Sequence, residues 1–546
     1  MTRRWKSLLI SGVCVGAMAA GGALLPGGAQ VELEAQAGLV PASARRAGEG
    51  VGPFNRMVIR NVMVIDGTGG PPFGPMNVVV SGNRIQAIQG AGTPGLRPSP
   101  APAGRAGAAG GRLGGVQAAD HEIDGTGMYL MPGFVDLHVH AGGAPKNAEA
   151  EYAYKLWLAH GVTTVRGVAL GPNQFSVSER ARSEKNEIAA PRIFNCQRPG
   201  GGDTPEGVRD WVRQNANTLD CLKLGAMEPA VMEAVIDEAH KNGLGTTAQL
   251  QQGGVAQMNA IDAARVGLDT VTHFYGHFES LLKDTVVQDW PVDMNANDEQ
   301  HRFGQVARLW NQIHEPGSPE WKAYLQEHVK LGTTFDPTMT IYSAGRDVMR
   351  AREADYHDKY TLPSLMDFYA PSRRNHGAYW FDWTTHDEIA WKNFYQVWFK
   401  LVNDYKKMGG RVTTGSDSGF IYQTYGFGYV LELEMLQEAG FHPLEVFQAA
   451  TMNGAATLSE WRKQPVEFGV VKAGKLADLV LVDQNPLHNL KVLYGNGAVK
   501  LNDETEQVER VGGVRWTIKD GIVYDAKKLL ADTAAMVEKQ KAERKK

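Results

Sequence analysis

Apolar and polar positions follow two rhythms along this chain. Toward both ends, short β-rich runs are separated by Gly and Pro turns. Met57-Val-Ile-Arg-Asn-Val-Met-Val-Ile-Asp66 and Asn77-Val-Val-Val-Ser-Gly-Asn-Arg-Ile-Gln-Ala-Ile88 lie at the front; Ala477-Asp-Leu-Val-Leu-Val-Asp483 and Val514-Arg-Trp-Thr-Ile-Lys-Asp-Gly-Ile-Val-Tyr524 repeat the texture at the back. Between them, apolar β-like runs alternate with helical segments, the order of parallel βα units. Eight strands are predicted, over 133–138, 163–167, 192–196, 221–224, 246–250, 270–273, 333–338 and 411–415. Eight such units close into a barrel. The predicted fold is therefore α/β: a (β/α)8 TIM barrel over 132–461, with a small β-sandwich domain whose halves, 55–131 and 462–526, come from both chain ends. The barrel span exceeds the roughly 250 residues typical of the fold, and the long insertions follow strands six and seven, on the face where such barrels carry their active sites.

The remaining segments set limits. Residues 90–119 are rich in Gly, Ala and Pro with little to bury, which predicts a surface loop within the N-terminal half-domain. A net charge of −4 leaves no electrostatic footprint for nucleic acid, and the basic C-terminal cluster is interleaved with acids, so 527–546 reads as a charged, solvated helix. Arg3, Arg4 and Lys6 precede a small and apolar run, 8–25, and then Pro26-Gly-Gly-Ala-Gln30, the layout of an export signal over 1–30. Thr2-Arg-Arg-Trp-Lys6 also resembles a twin-arginine signal, so export to the periplasm by the Sec or the twin-arginine route is expected, with no membrane span in the mature chain. Beyond the signal only Cys196 and Cys221 remain; both fall in predicted barrel strands and are expected as buried free thiols, one bridge being the alternative. The aromatic stretch 369–383 reads as packing, with a substrate lid as the alternative. Arg373 and Arg374 within it are candidates to recognise a substrate carboxylate.

The most informative chemistry closes Met131-Pro-Gly-Phe-Val-Asp-Leu-His-Val-His140. A strand alternates its side chains, so His138 and His140 face the same way and can share one metal ion at the strand end. Two buried imidazoles without a metal or a carboxylate would be costly to desolvate.

Five segments, Asn61-Val-Met-Val-Ile-Asp-Gly-Thr68, Met131 to His140, His160-Gly-Val-Thr-Thr-Val-Arg166, Thr414-Gly-Ser-Asp-Ser418 and Ala473-Gly-Lys-Leu-Ala-Asp-Leu-Val480, resemble in order the landmarks of the amidohydrolase superfamily. They look closest to its imidazolonepropionase-like branch, which includes dipeptidases and other amide-cleaving enzymes. The resemblance implies a divalent metal, with zinc expected, in one or two ions. It makes His138 and His140 ligands of the first metal and Lys223 a carboxylated bridge between two metals. It makes His273 a ligand of the second, and Asp417 a ligand of the first that also shuttles the proton of the attacking water. Carbon dioxide enters as the Lys223 carbamate, because an ammonium cannot ligate a metal while burial favours the neutral amine that captures it. His160 is expected to end a helix rather than to bind metal.

One position departs from the family. Strand five should end in a histidine, and Gln249 stands there. A neutral amide oxygen is a poorer zinc ligand than imidazole, so the second site loses a strong donor. Three outcomes stay open: one metal on His138, His140, Lys223 and Asp417; a weak second metal on Lys223, His273 and Gln249; or an inactive descendant. His277 could substitute, although a polar loop histidine is the expectation. The implied function is metal-dependent hydrolysis of an amide-like C–N bond in a small-molecule substrate, with an ester or lactone nearby. A dipeptidase and a metal-poor binding protein are the rivals, and assembly into a homo-oligomer is left open.

Overall fold

All eight barrel strands stand where the periodicity puts them in the computed structural model, which describes residues 38–92, 119–373 and 377–546. They are Phe134–Val139, Val162–Val168, Arg192–Gln197, Cys221–Leu224, Gly245–Ala248, Thr270–Thr272, Thr334–Asp336 and Arg411–Val412, and they pair in sequence order, each parallel to the next. The last strand returns to the first: Leu137 N–H donates to Thr414 O at 2.9 Å and Asp417 N–H to His138 O at 2.8 Å, which closes the barrel. The expected signal at 1–30, most of the 90–119 insertion and Arg374 lie outside the described residues.

Helices cover the barrel by burying one face each. Thr385–Lys407 starts at a capping box made by Thr384 and Asp387, and its Trp391, Phe394, Tyr395, Trp398, Leu401, Val402 and Tyr405 recur every three or four residues on the buried side. The aromatic stretch packs against this helix: Tyr379 lies between Phe303 and Trp391, and Trp383 stacks on Trp391. Among the described residues no helix is long and apolar enough to cross a membrane.

The second large sheet joins the two chain ends. Its central order runs Val514–Lys519, Leu479–Val482, Tyr129–Pro132, Met57–Val64, Phe73–Ser81, and it has its own apolar core around Ile59, Val62, Val78, Leu479 and Ile518. Tyr129–Pro132 leads straight into the first barrel strand through Gly133, where a Cβ would lie 2.1 Å from Thr163 Oγ1. Only glycine lets the chain pass from one sheet to the other so close to its neighbour.

Two expectations need correction. Cys196 and Cys221 are joined in a disulfide rather than left as free thiols. Strands three and four are neighbours whose register sets the two cysteines directly opposite, 4.5 Å apart at Cα, and parallel register is not visible in the sequence. The C-terminal helix, Ala526–Arg544, is charged but not simply solvated. Leu529, Leu530, Thr533 and Val537 are buried, and Asp532 joins Glu49 and Glu151 around the buried ammonium of Lys155.

Candidate metal centre and active site

Strand one builds the site by alternation. Asp136 and His138 share a face, and His140 follows just past the strand end. Asp136 accepts the N–H of His138 at 3.2 Å, the N–H of Ser416 at 2.9 Å and the hydroxyl of Ser416 at 2.6 Å, so it ties the strand that carries the histidines to the loop that carries Asp417. Burial pushes its carboxyl up to about 7 against those hydrogen bonds. Gly415 makes this junction fit, because a Cβ there would meet His138 Cβ and Asp336 Oδ1 at 2.8 Å.

Three imidazoles converge on one carboxylate. Asp417 Oδ1 lies 3.8 Å from His138 Nε2 and 3.5 Å from His140 Nε2, and its Oδ2 lies 3.9 Å from His273 Nε2. Ligand atoms of His138, His140 and Asp417 all fall within 4.8 Å of one another. No helix begins behind Asp417, so capping does not explain it. Asp417 and His273 both have left-handed backbone, φ 48° and 66°, as does Thr338 at 48°. Such conformations are costly for non-glycine residues and gather at functional sites.

Hydrogen bonds set the tautomers. His140 Nδ1–H donates to Ala169 O at 3.1 Å, which turns the Nε2 lone pair toward Asp417. Thr338 Oγ1 donates to Pro337 O at 2.7 Å and so accepts from His273 Nδ1–H, with the same result. Burial holds His138 well below its ordinary range, helped by His273, Lys223, His140 and Arg166 nearby. A neutral imidazole is the form that ligates metal. Both ring nitrogens of His138 are buried with no hydrogen-bond partner among the described residues, an orphaned state that a metal ion would relieve. The donor set therefore fits a divalent metal.

Lys223 is buried on strand four, close enough for its charge to act on His138. Gln249 follows strand five, half-buried, and donates its N–H to Leu224 O at 3.0 Å beside the strand of Lys223. His277 lies in the turn after strand six, as expected, but it is buried, bonded to the Tyr324 hydroxyl at 2.6 Å with its ring 4.2 Å from that of Phe335. His160 ends the helix Ala150–Ala159 and bonds Leu156 O, as expected. Arg373 forms ion pairs with Asp298 and Asp382 and is 60% exposed, a surface role that leaves carboxylate recognition unexplained.

Several residues of the site escaped sequence reasoning. Arg166 sits inside the barrel, paired with Asp336 at 2.9 Å and donating to Leu137 O at 2.6 Å. Burial lifts the Asp336 carboxyl to about 6 against this pairing. Tyr275 and Tyr342 join their hydroxyls at 3.0 Å, and each ring lies 5.6 Å from His273. Burial pushes the Tyr275 phenol up to about 12, so it remains a proton donor.

Residues 398–523 match the amidohydrolase family model. In fold, the chain is similar to a Xaa-Pro dipeptidase with bound methionine (19% identity, TM-score 0.54, 86% of this chain and 100% of that one). It is similar also to a putative prolidase from Bifidobacterium longum (20%, 0.54, 88% and 99%) and to a bottromycin amidohydrolase (17%, 0.57, 88% and 91%). A search of curated protein sequences finds no match.

Proposed function

From a chain that carries the amidohydrolase family's segment on a barrel shared with amidohydrolases, we propose a metal-dependent hydrolase that cleaves an amide-like C–N bond of a small-molecule substrate with water. The observation that carries this reading is the convergence of three imidazole Nε2 edges on the Asp417 carboxylate at the C-terminal mouth of the barrel. His138, His140 and Asp417 would hold a divalent ion, zinc being the expected one, and Lys223 would join them as its carbamate. A bound divalent ion supplies charge that polarises a carbonyl and brings the pKa of a water toward neutrality.

The chain's own residues do the rest. Asp417 takes the proton of the attacking water and returns it to the leaving nitrogen, which needs one carboxylate able to serve both steps. Tyr342 donates its hydroxyl to that of Tyr275, which leaves the Tyr275 phenol, beside His273, suited to donate toward the oxygen on which negative charge builds as the carbonyl is attacked. Asp136 and the Arg166–Asp336 pair lie behind the ligands and hold strands one, two, seven and eight in place.

Full-length protein should hydrolyse at least one compound of a panel of N-acyl amino acids, dipeptides, esters and lactones. Turnover should fall to background after chelation and return when zinc is added. A protein that takes up no metal and turns over nothing, yet binds panel members, would establish the binding-protein rival. We also propose export to the periplasm, supported by the charged and apolar layout of 1–30. Mass spectrometry of protein recovered from cells should find a mature N-terminus between positions 20 and 37; an intact N-terminus on cytosolic protein rejects it.

A further inference from the structure

We propose that Gln423 is a positioning residue of this site, one whose side-chain amide fixes the turn that carries Asp417 against the loop that carries Thr338 and Tyr342. The inference rests on the hydrolase reading for the reaction that this turn serves. Asp417 opens a turn that is costly to hold: Asp417, Ile421 and Tyr422 have left-handed backbone, with φ of 48°, 48° and 60°, and Gly419 has 97°. Positive φ is an outlier for a β-branched residue such as Ile421, and strain of this kind persists only where the surroundings over-determine it. The front of the turn is tied down by Ser416 on Asp136 and by Asp417 N–H on His138 O. Gln423 ties down the back.

Its main-chain groups close the turn on itself. Gln423 N–H donates to Phe420 O at 2.8 Å, and its carbonyl accepts from Gly419 N–H at 2.7 Å and from the Tyr369 hydroxyl at 2.9 Å. The side chain is buried and forks across to the loop after strand seven, where Nε2 donates to Ser343 Oγ at 3.0 Å and Oε1 accepts from Thr340 Oγ1 at 3.3 Å. In that same loop Thr338 holds Nδ1 of His273, and Tyr342 donates to Tyr275. The loop is itself anchored, since Glu432 accepts Thr340 N–H at 2.7 Å and the Tyr395 hydroxyl donates to Met339 O at 2.6 Å. A buried amide satisfied at both ends by anchored partners is rigid, and it lends that rigidity to the turn. Gln423 thus acts through Asp417: a carboxylate that serves both metal and water loses about 10²-fold in rate when misplaced by roughly an ångström.

The test compares Gln423→Met, which keeps the length and removes both side-chain hydrogen bonds, with Ser343→Ala and with the double variant. Zinc-loaded full-length protein is read for turnover, and cobalt-loaded protein for the visible absorption bands that report how the carboxylate sits at the metal. On whichever panel compound is hydrolysed, kcat should fall about 10–100-fold in Gln423→Met, with KM moved by less than about threefold and metal content unchanged. The double variant should be no slower than Gln423→Met, because Ser343 acts only through the amide. The cobalt bands should shift in Gln423→Met and to the same extent in the double variant. If Gln423→Met loses its native circular dichroism, Thr340→Val combined with Ser343→Ala takes its place. Native kcat and bands in a Gln423→Met protein that merely melts earlier overturn the proposal. So does a double variant in which the two losses multiply. A native protein without turnover whose bands still move with Gln423 fails the hydrolase reading and keeps this one. With turnover but no cobalt uptake the kcat comparison decides, and a native protein showing neither fails both.

Discussion

Asp417→Asn is expected to lower turnover by about 10²–10⁴-fold, the range lost when a positioned acid–base group is removed. The substitution keeps size and one ligating oxygen, so the protein should retain its fold and part of its metal while losing the group that moves the proton. His138→Ala should act differently. It removes one of three donors that lie within 4.8 Å of one another, so tightly bound metal should disappear along with activity. Metal content by plasma mass spectrometry, turnover and circular dichroism together separate the two effects. Turnover retained in both variants would falsify the assignment of this cluster as the active site.

What the sequence made legible follows the periods of its elements. Strand alternation alone brought His138 and His140 to one face, and the eight apolar runs mark all eight barrel strands to within a few residues at their ends. The positions of His273 and Asp417 needed the family resemblance. Neither reaches the site by strand alternation, because each sits on a left-handed backbone that re-aims the side chain just past a strand end, and no local pattern announces such a turn. Lateral relations were equally hidden. The Cys196–Cys221 bridge, the Arg166–Asp336 pair and the hold of Asp136 on Ser416 all depend on which residues face each other across neighbouring strands. That register is set by the barrel as a whole, and periodicity within one strand carries no trace of it. His277 shows the reverse error: a histidine in a loop-like setting is buried because Tyr324 and Phe335, far along the chain, close over it.

Gln249→His is expected to convert a protein that holds about one tightly bound divalent ion into one that holds two. Zinc sites favour three or four strong ligands; His138, His140 and Asp417 offer three within 4.8 Å of one another, and the proposed Lys223 carbamate would add a fourth. The second would rest on His273 and the same carbamate, with the amide oxygen of Gln249 as a weak third donor. His273 is already oriented as a ligand, since Thr338 holds its Nδ1 and its Nε2 lies 3.9 Å from Asp417 Oδ2. Gln249 leaves the strand beside Lys223, with its N–H on Leu224 O, so an imidazole there would enter from the same edge. Metal stoichiometry after dialysis, with affinities from chelator competition, reads the change directly. Two tightly bound ions in the native protein would mean that another residue completes the second site. A single ion in both proteins would mean that position 249 does not face the second site.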